Sequence, residues 1–119
     1  ARAGADLVLG HHPHVWQGLA LLPRPGARPC LVAYSLGNFI FDQRERPATA
    51  VSAVLWCRLG PGGVLAAGLE PVAIVRGQPR IAHGPAAARI LRRIAALSSR
   101  LGVRLTGAEV SLPAGPSGS

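Results

Sequence analysis

The sequence predicts an α/β chain of the α+β kind, mostly antiparallel strands followed by one C-terminal helix. Three observations carry this expectation. Apolar runs of strand length, punctuated by glycine and proline, fill the chain from Asp6 to Val75. Gly60-Pro61-Gly62-Gly63 stands between two β-rich runs as a hairpin signal. Beyond Arg80 the period changes, and Ile90, Ile94, Leu97 and Leu101 recur at helical spacing.

Taken in order, Asp6 to Gly10 reads as a short buried strand that ends on a glycine. Trp16 to Leu22 and Cys30 to Ser35 read as an antiparallel hairpin around the loop Pro23-Arg24-Pro25-Gly26. Gly37-Asn38 interrupts the second arm before Phe39-Ile40-Phe41, and the polar run Asp42 to Pro47 reads as an exposed loop. Ala50 to Leu59 and Val64 to Val75 form the second hairpin. Pro71, which has no N–H to donate, marks its second arm as an edge or bulged strand. Pro85 suits the first turn of the helix and Gly102 its C-terminal end. The expected organisation is one domain over residues 1–110 and a frayed, disordered tail over 111–119. The lack of any methionine among the 119 residues, and an opening that reads as the tail of a helix, predict a piece of a longer protein.

A hydrophobic fraction of 49% is enough for a packed core. The formal charge of +8 comes from arginine alone, and the thirteen arginines are scattered from Arg2 to Arg104. Only Arg89, Arg92 and Arg93 cluster, on the helix, and the single tyrosine and two tryptophans do not interleave with arginine as a stacking platform would. The charge therefore reads as a solvated surface, and a nucleic-acid partner is not expected. Cys30 and Cys57 lack metal-ligand spacing and read as free thiols in apolar strands.

The chemistry concentrates in Gly10-His11-His12-Pro13-His14, which holds three of the four histidines in the chain. In an extended backbone, residues two apart project to the same side about 7 Å apart, so His12 and His14 converge while His11 points away. Pro13 fixes one φ angle between them. Such a pair suits a dinuclear metal centre that activates water for phosphoryl-type displacement. The competing reading is a set of polar loop histidines satisfied by backbone and water. His83, alone before Gly84-Pro85, reads as a residue that opens the helix. Carboxylates are few: Asp6, Asp42, Glu45, Glu70 and Glu109. Asp42 reads either as a partner for an imidazole N–H or as a loop cap.

Two blocks carry a family resemblance. The stretch from Gly4-Ala5-Asp6 through Gly10-His11-His12-Pro13-His14 to Gln17-Gly18 resembles a signature of the capsule-synthesis CapA family, associated with poly-γ-glutamate in bacteria. Tyr34-Ser35-Leu36-Gly37-Asn38-Phe39 resembles a second motif of that family, and the resemblance covers most of residues 1–112. It implies part of a calcineurin-like metallophosphoesterase fold, a four-layer αββα sandwich whose last ligand motif is Gly-His-x-His. Carried over, it implies metal ligation by His12 and His14, with His11 as an alternative ligand or as the catalytic acid/base. Gly37 and Asn38 would shape the pocket.

The implied cofactors are divalent Mn, Fe or Zn ions, dinuclear in the complete protein. The implied partners are an anionic polymer or phosphoester substrate and a capsule-synthesis membrane complex, with a membrane-associated or extracytoplasmic location. The superfamily's earlier motifs, Asp-x-His, Gly-Asp and Asn-His, do not occur here. The remaining ligands would therefore come from elsewhere in the parent protein, and this chain alone is expected to be inactive. The alternative within the resemblance is a non-enzymatic, polymer-binding accessory module.

Overall fold

The computed structural model of the chain describes residues 4–11, 16–36 and 51–113. Within them run β1 (Leu7–Leu9), β2 (Leu19–Leu22), β3 (Cys30–Ala33), β4 (Val51–Gly60), β5 (Gly63–Val75), β6 (Gln78–Ile81), α1 (Gly84–Ser99), β7 (Leu105–Thr106) and β8 (Glu109–Val110). The architecture is the expected α+β mixture, with antiparallel pairing everywhere except β1 against β3.

The first sheet has the order β1-β3-β2. β3 lies in its centre and is buried along its whole length, because it has a neighbour on each side. Its pleat sends Leu31 and Ala33 to the main core and Cys30 and Val32 to a smaller cluster with Ala20. β1 departs from the expected buried strand: Val8 is 41% and Leu9 47% exposed. Among the described residues it pairs with β3 alone, so a strand that reads as apolar on both faces is left with one edge and part of its surface uncovered. The expected Trp16–Leu22 arm is also broken. Gly18 adopts φ +113, and only Leu19–Leu22 continues the ladder.

The second sheet runs β4-β5-β8-β7, with β6 also paired to β5. β5 is therefore central, against the expectation of an edge or bulged strand around Pro71; the register shift in the β4–β5 pair falls at Arg58/Leu59 instead. The proline is tolerated because β5 changes partner beside it. Leu69 N–H donates to Ala108 O on the β8 side, and Pro71 O accepts from Ala82 N–H as β6 ends. The missing N–H falls in the gap between those two neighbours. β6, over a stretch for which the sequence suggests no element, closes a hairpin through Arg76 (φ 52) and Gly77 (φ 76), a two-residue turn of the kind that matches strand twist.

α1 starts after His83, whose side chain makes no capping bond, with proline in the first turn as expected. Its buried residues are Ile90, Ile94 and Ser98. Leu101 lies beyond the last helical residue and is 41% exposed, so the apolar stripe ends in a serine rather than running on to that leucine. Gly102, at φ 83, follows the end of the helix. The core joins one face of each sheet to the helix through Trp16, Leu19, Leu31, Ala53, Leu69 and Ile94. Burying each large aliphatic there contributes about 1.5–3 kcal/mol.

Cys30 and Cys57 are both free, the first buried and the second partly so. No helix among the described residues is long and apolar enough to cross a membrane. Past the helix, Ser111 N–H donates to Arg104 O and Leu112 packs against the core, while residues 114–119 lie outside the described residues.

Candidate functional site

The histidine loop leaves the first sheet at Gly10 and returns at Trp16, and both ends are tied to the same short stretch after β3. Gly10 N–H donates to Ala33 O at 2.8 Å, and Leu36 N–H donates to Gly10 O at 2.7 Å. On the return, Trp16 forms an isolated antiparallel bridge with Leu36, Gln17 N–H donates to Ser35 O at 3.4 Å, and Tyr34 N–H donates to Gly18 O at 3.3 Å. The two motif blocks are thus joined by backbone hydrogen bonds, and the loop between Gly10 and Trp16 starts and ends beside the residues that lead into Gly37-Asn38.

Gly10 is required by close approach rather than by an unusual backbone angle. A Cβ there would collide with the Tyr34 carbonyl oxygen and lie 3.1 Å from its carbon. A second sheet element holds the base of this junction. Ser52 of β4, 2% exposed, donates its hydroxyl to Leu36 O at 2.9 Å and accepts the Trp16 indole N–H at 3.3 Å. Both capacities of the hydroxyl are used, so a buried polar group is satisfied and β4 is linked to both motif blocks.

Of the sequence-predicted site residues, His11 lies exposed just beyond the end of β1. His12, His14, Gly37 and Asn38 lie outside the described residues, as do Asp42 and Glu45. No group of three or more potential metal-ligating side chains occurs among the described residues. The donors that the cluster offers are imidazoles, which suit Zn and Fe. Asp6 is engaged elsewhere, its carboxylate 2.8 Å from the Arg24 guanidinium at the opposite end of β1. Glu70 and Glu109 sit exposed on the second sheet.

Arg24 was not singled out from the sequence. Its side chain is only 10% exposed, and it donates to Arg28 O at 2.9 Å and Ala5 O at 3.0 Å besides Asp6. It fastens the 23–29 loop to the start of β1. Ser98 was missed as well. Fully buried, it accepts Leu19 N–H at 2.9 Å and so docks the helix on the first residue of β2. The signal was available, since Ser98 continues the four-residue spacing of Ile90 and Ile94. Between helix and motif strands lies an open groove of about 480 Å³, lined by Trp16, Gln17, Tyr34, Arg93, Leu97 and Leu101.

Comparison with known proteins agrees with the motif blocks. Residues 1–43 match the family model described as bacterial capsule synthesis protein PGA_cap. Over 78 residues, 66% of the chain, the sequence is 37% identical to capsule biosynthesis protein CapA of Bacillus anthracis, of which it covers 18%. Over 41 residues, 34% of the chain, it is 46% identical to PGA biosynthesis protein CapA of Bacillus subtilis strain 168, of which it covers 10%. The chain spans less than a fifth of the length of either relative. The motifs, the family match over residues 1–43 and these relatives together support a fragment of the CapA family of capsule synthesis.

Proposed function

We propose that this chain contributes a histidine-bearing portion of a metal-dependent, hydrolase-type protein that acts in the biosynthesis of a poly-γ-glutamate capsule or related exopolymer. The relatives carry capsule and PGA biosynthesis in their names, which supports the process. The observation that carries the site is the double tether of the histidine loop, whose two ends, Gly10 and Trp16, both bond to the stretch Ala33–Leu36. Backbone bonds at both ends restrict where the imidazoles between them can go, and positioning of that kind is what ligation and catalysis need.

In this reading His12 and His14 hold a divalent Mn, Fe or Zn ion together with ligands from outside this chain. When bound, such an ion supplies Lewis acidity at a phosphoryl or carbonyl oxygen. His11, exposed just beyond β1, is in this reading the residue that donates a proton to a departing group. Gly37 and Asn38, which follow the Leu36 tether in sequence, are in this reading the residues that shape the pocket.

The test is elemental analysis of the protein at the length of its relatives. Mn, Fe or Zn should co-purify, and His12→Ala and His14→Ala should each lower its stoichiometry. Unchanged metal content in both variants refutes ligation. In that event the net charge of +8 favours the second reading, a non-enzymatic module that binds an anionic polymer through many weak contacts.

A further inference from the structure

The groove beside the motif strands has a composition of its own. One wall is apolar: Tyr34, 48% exposed, Leu101, 41% exposed, and the half-buried Leu97 of the helix. The other feature is the Arg93 guanidinium, which makes no ion pair among the described residues, and no acidic side chain lines the groove. The helix that supplies Arg93 carries no aspartate or glutamate at all, so its positive charge is uncompensated along its own length. Gln17 adds an amide able to donate and accept. A volume of about 480 Å³ falls within the range of roughly 300–1,000 Å³ typical of small-ligand clefts.

We propose that this groove is a subsite for a carboxylate carried on an aliphatic chain, with Arg93 holding the carboxylate and Tyr34, Leu97 and Leu101 covering the methylenes. A planar guanidinium meets a carboxylate through two parallel hydrogen bonds, which gives direction as well as attraction. The apolar wall favours a ligand whose charges are spaced by methylene groups over a compact inorganic anion. The groove adjoins the described edge of the proposed site: Trp16 and Tyr34 line it and also take part in the pairing of the two motif blocks, Trp16 with Leu36 and Tyr34 N–H to Gly18 O. The assignment rests on the proposed polymer-directed function for its ligand class, but not on the presence of metal.

The test is isothermal titration of the protein at the length of its relatives with a short glutamate oligomer, with the glutamine oligomer of equal length as the uncharged comparison. Arg93→Gln should weaken binding of the glutamate oligomer at least fivefold. Arg89→Gln, on the same helix but outside the groove, should change it less than twofold. Leu101→Asp, at a half-exposed position that does not support the core, should also weaken it at least fivefold by placing a like charge in the wall. Equal losses for Arg93→Gln and Arg89→Gln overturn the proposal in favour of diffuse attraction. So does equal binding of the glutamine oligomer, or preferential binding of glycerol phosphate. Repeating the titration after chelation separates the two readings. Arg93-dependent binding that persists while His14→Ala leaves metal content unchanged removes the metal reading alone. Intact His14-dependent metal with no Arg93 effect removes the groove alone.

Discussion

Replacing Gly10 with alanine tests whether the junction of the two motif blocks is as tight as the structure shows. The new methyl group would overlap the Tyr34 carbonyl oxygen and approach the carbonyl carbon to 3.1 Å, inside the roughly 3.5 Å at which non-bonded heavy atoms attract best. Because the obstacle is backbone, it cannot rotate away. The strand end must move, which strains the bonds from Gly10 N–H to Ala33 O and from Leu36 N–H to Gly10 O. Each such bond contributes about 0.5–1.5 kcal/mol and overpacking costs about 1–3 kcal/mol, so a loss of about 2–4 kcal/mol follows. That is a large share of a total stability of about 5–15 kcal/mol. Gly60→Ala is the internal control. Its methyl would meet Leu65 Cδ1 at 2.5 Å, the free end of a side chain that can turn aside, so the cost should stay below about 1 kcal/mol. Urea denaturation of the three proteins measures both. On the proposed metal reading, Gly10→Ala should also lower metal content, since the displaced segment leads in sequence directly into the histidines. If Gly10→Ala is no more destabilising than Gly60→Ala, the described packing of β1 against the end of β3 is wrong.

Three further outcomes are expected. Ser98→Ala leaves the buried Leu19 N–H without its acceptor and should cost about 1–3 kcal/mol, with faster hydrogen exchange at the Leu19 amide; unaltered exchange would refute the docking bond. Arg24→Leu should cost about 1–3 kcal/mol by releasing Ala5 O and Arg28 O, whereas Asp6→Asn, at a half-exposed carboxylate, should stay within about 1 kcal/mol; equal losses would mean that the ion pair rather than the carbonyl contacts holds the loop. Burial pushes the Cys57 thiol above its ordinary value of 9.0, so folding favours the protonated form. The associated stability is fully present below 9.0 and is lost as pH rises through the folded value. Iodoacetamide at neutral pH should therefore label Cys57 more slowly than a free thiol and Cys30 only on unfolding, and labelling of Cys57 at the free-thiol rate contradicts this.

Local chemistry made some of this fold readable and left other parts out of reach. The 60–63 turn and the start of α1 were legible because proline fixes φ and glycine takes positive φ without strain, as Gly62 and Gly63 do. The β6 hairpin was not, since Gln78, Pro79 and Arg80 carry no strand pattern and the turn that closes the hairpin uses an arginine at positive φ, a conformation that sequence rarely announces. The parallel pairing of β1 with β3 and the partner change beside Pro71 depend on strands brought together from far apart in the chain, and no local pattern encodes them. Spacing placed the helix correctly but put Leu101 in the stripe, because it did not show that the helix stops at Ser99. At the candidate site, clustering of histidines was evident from the residues alone. That Gly10 and Trp16 share one anchoring stretch, with Ser52 beneath it, needed the fold.

The Leu19–Ser98 bond spans 79 positions of sequence, whereas β2–β3, β4–β5 and β5–β6 are all closed by nearby turns. Ring closure over so many residues is entropically late, so the hairpins can assemble while the helix is still undocked. A nascent or truncated chain that ends before Gly84 would have formed strands but no roof over Leu19, and it would present that apolar face to chaperones and neighbouring chains until the helix arrives.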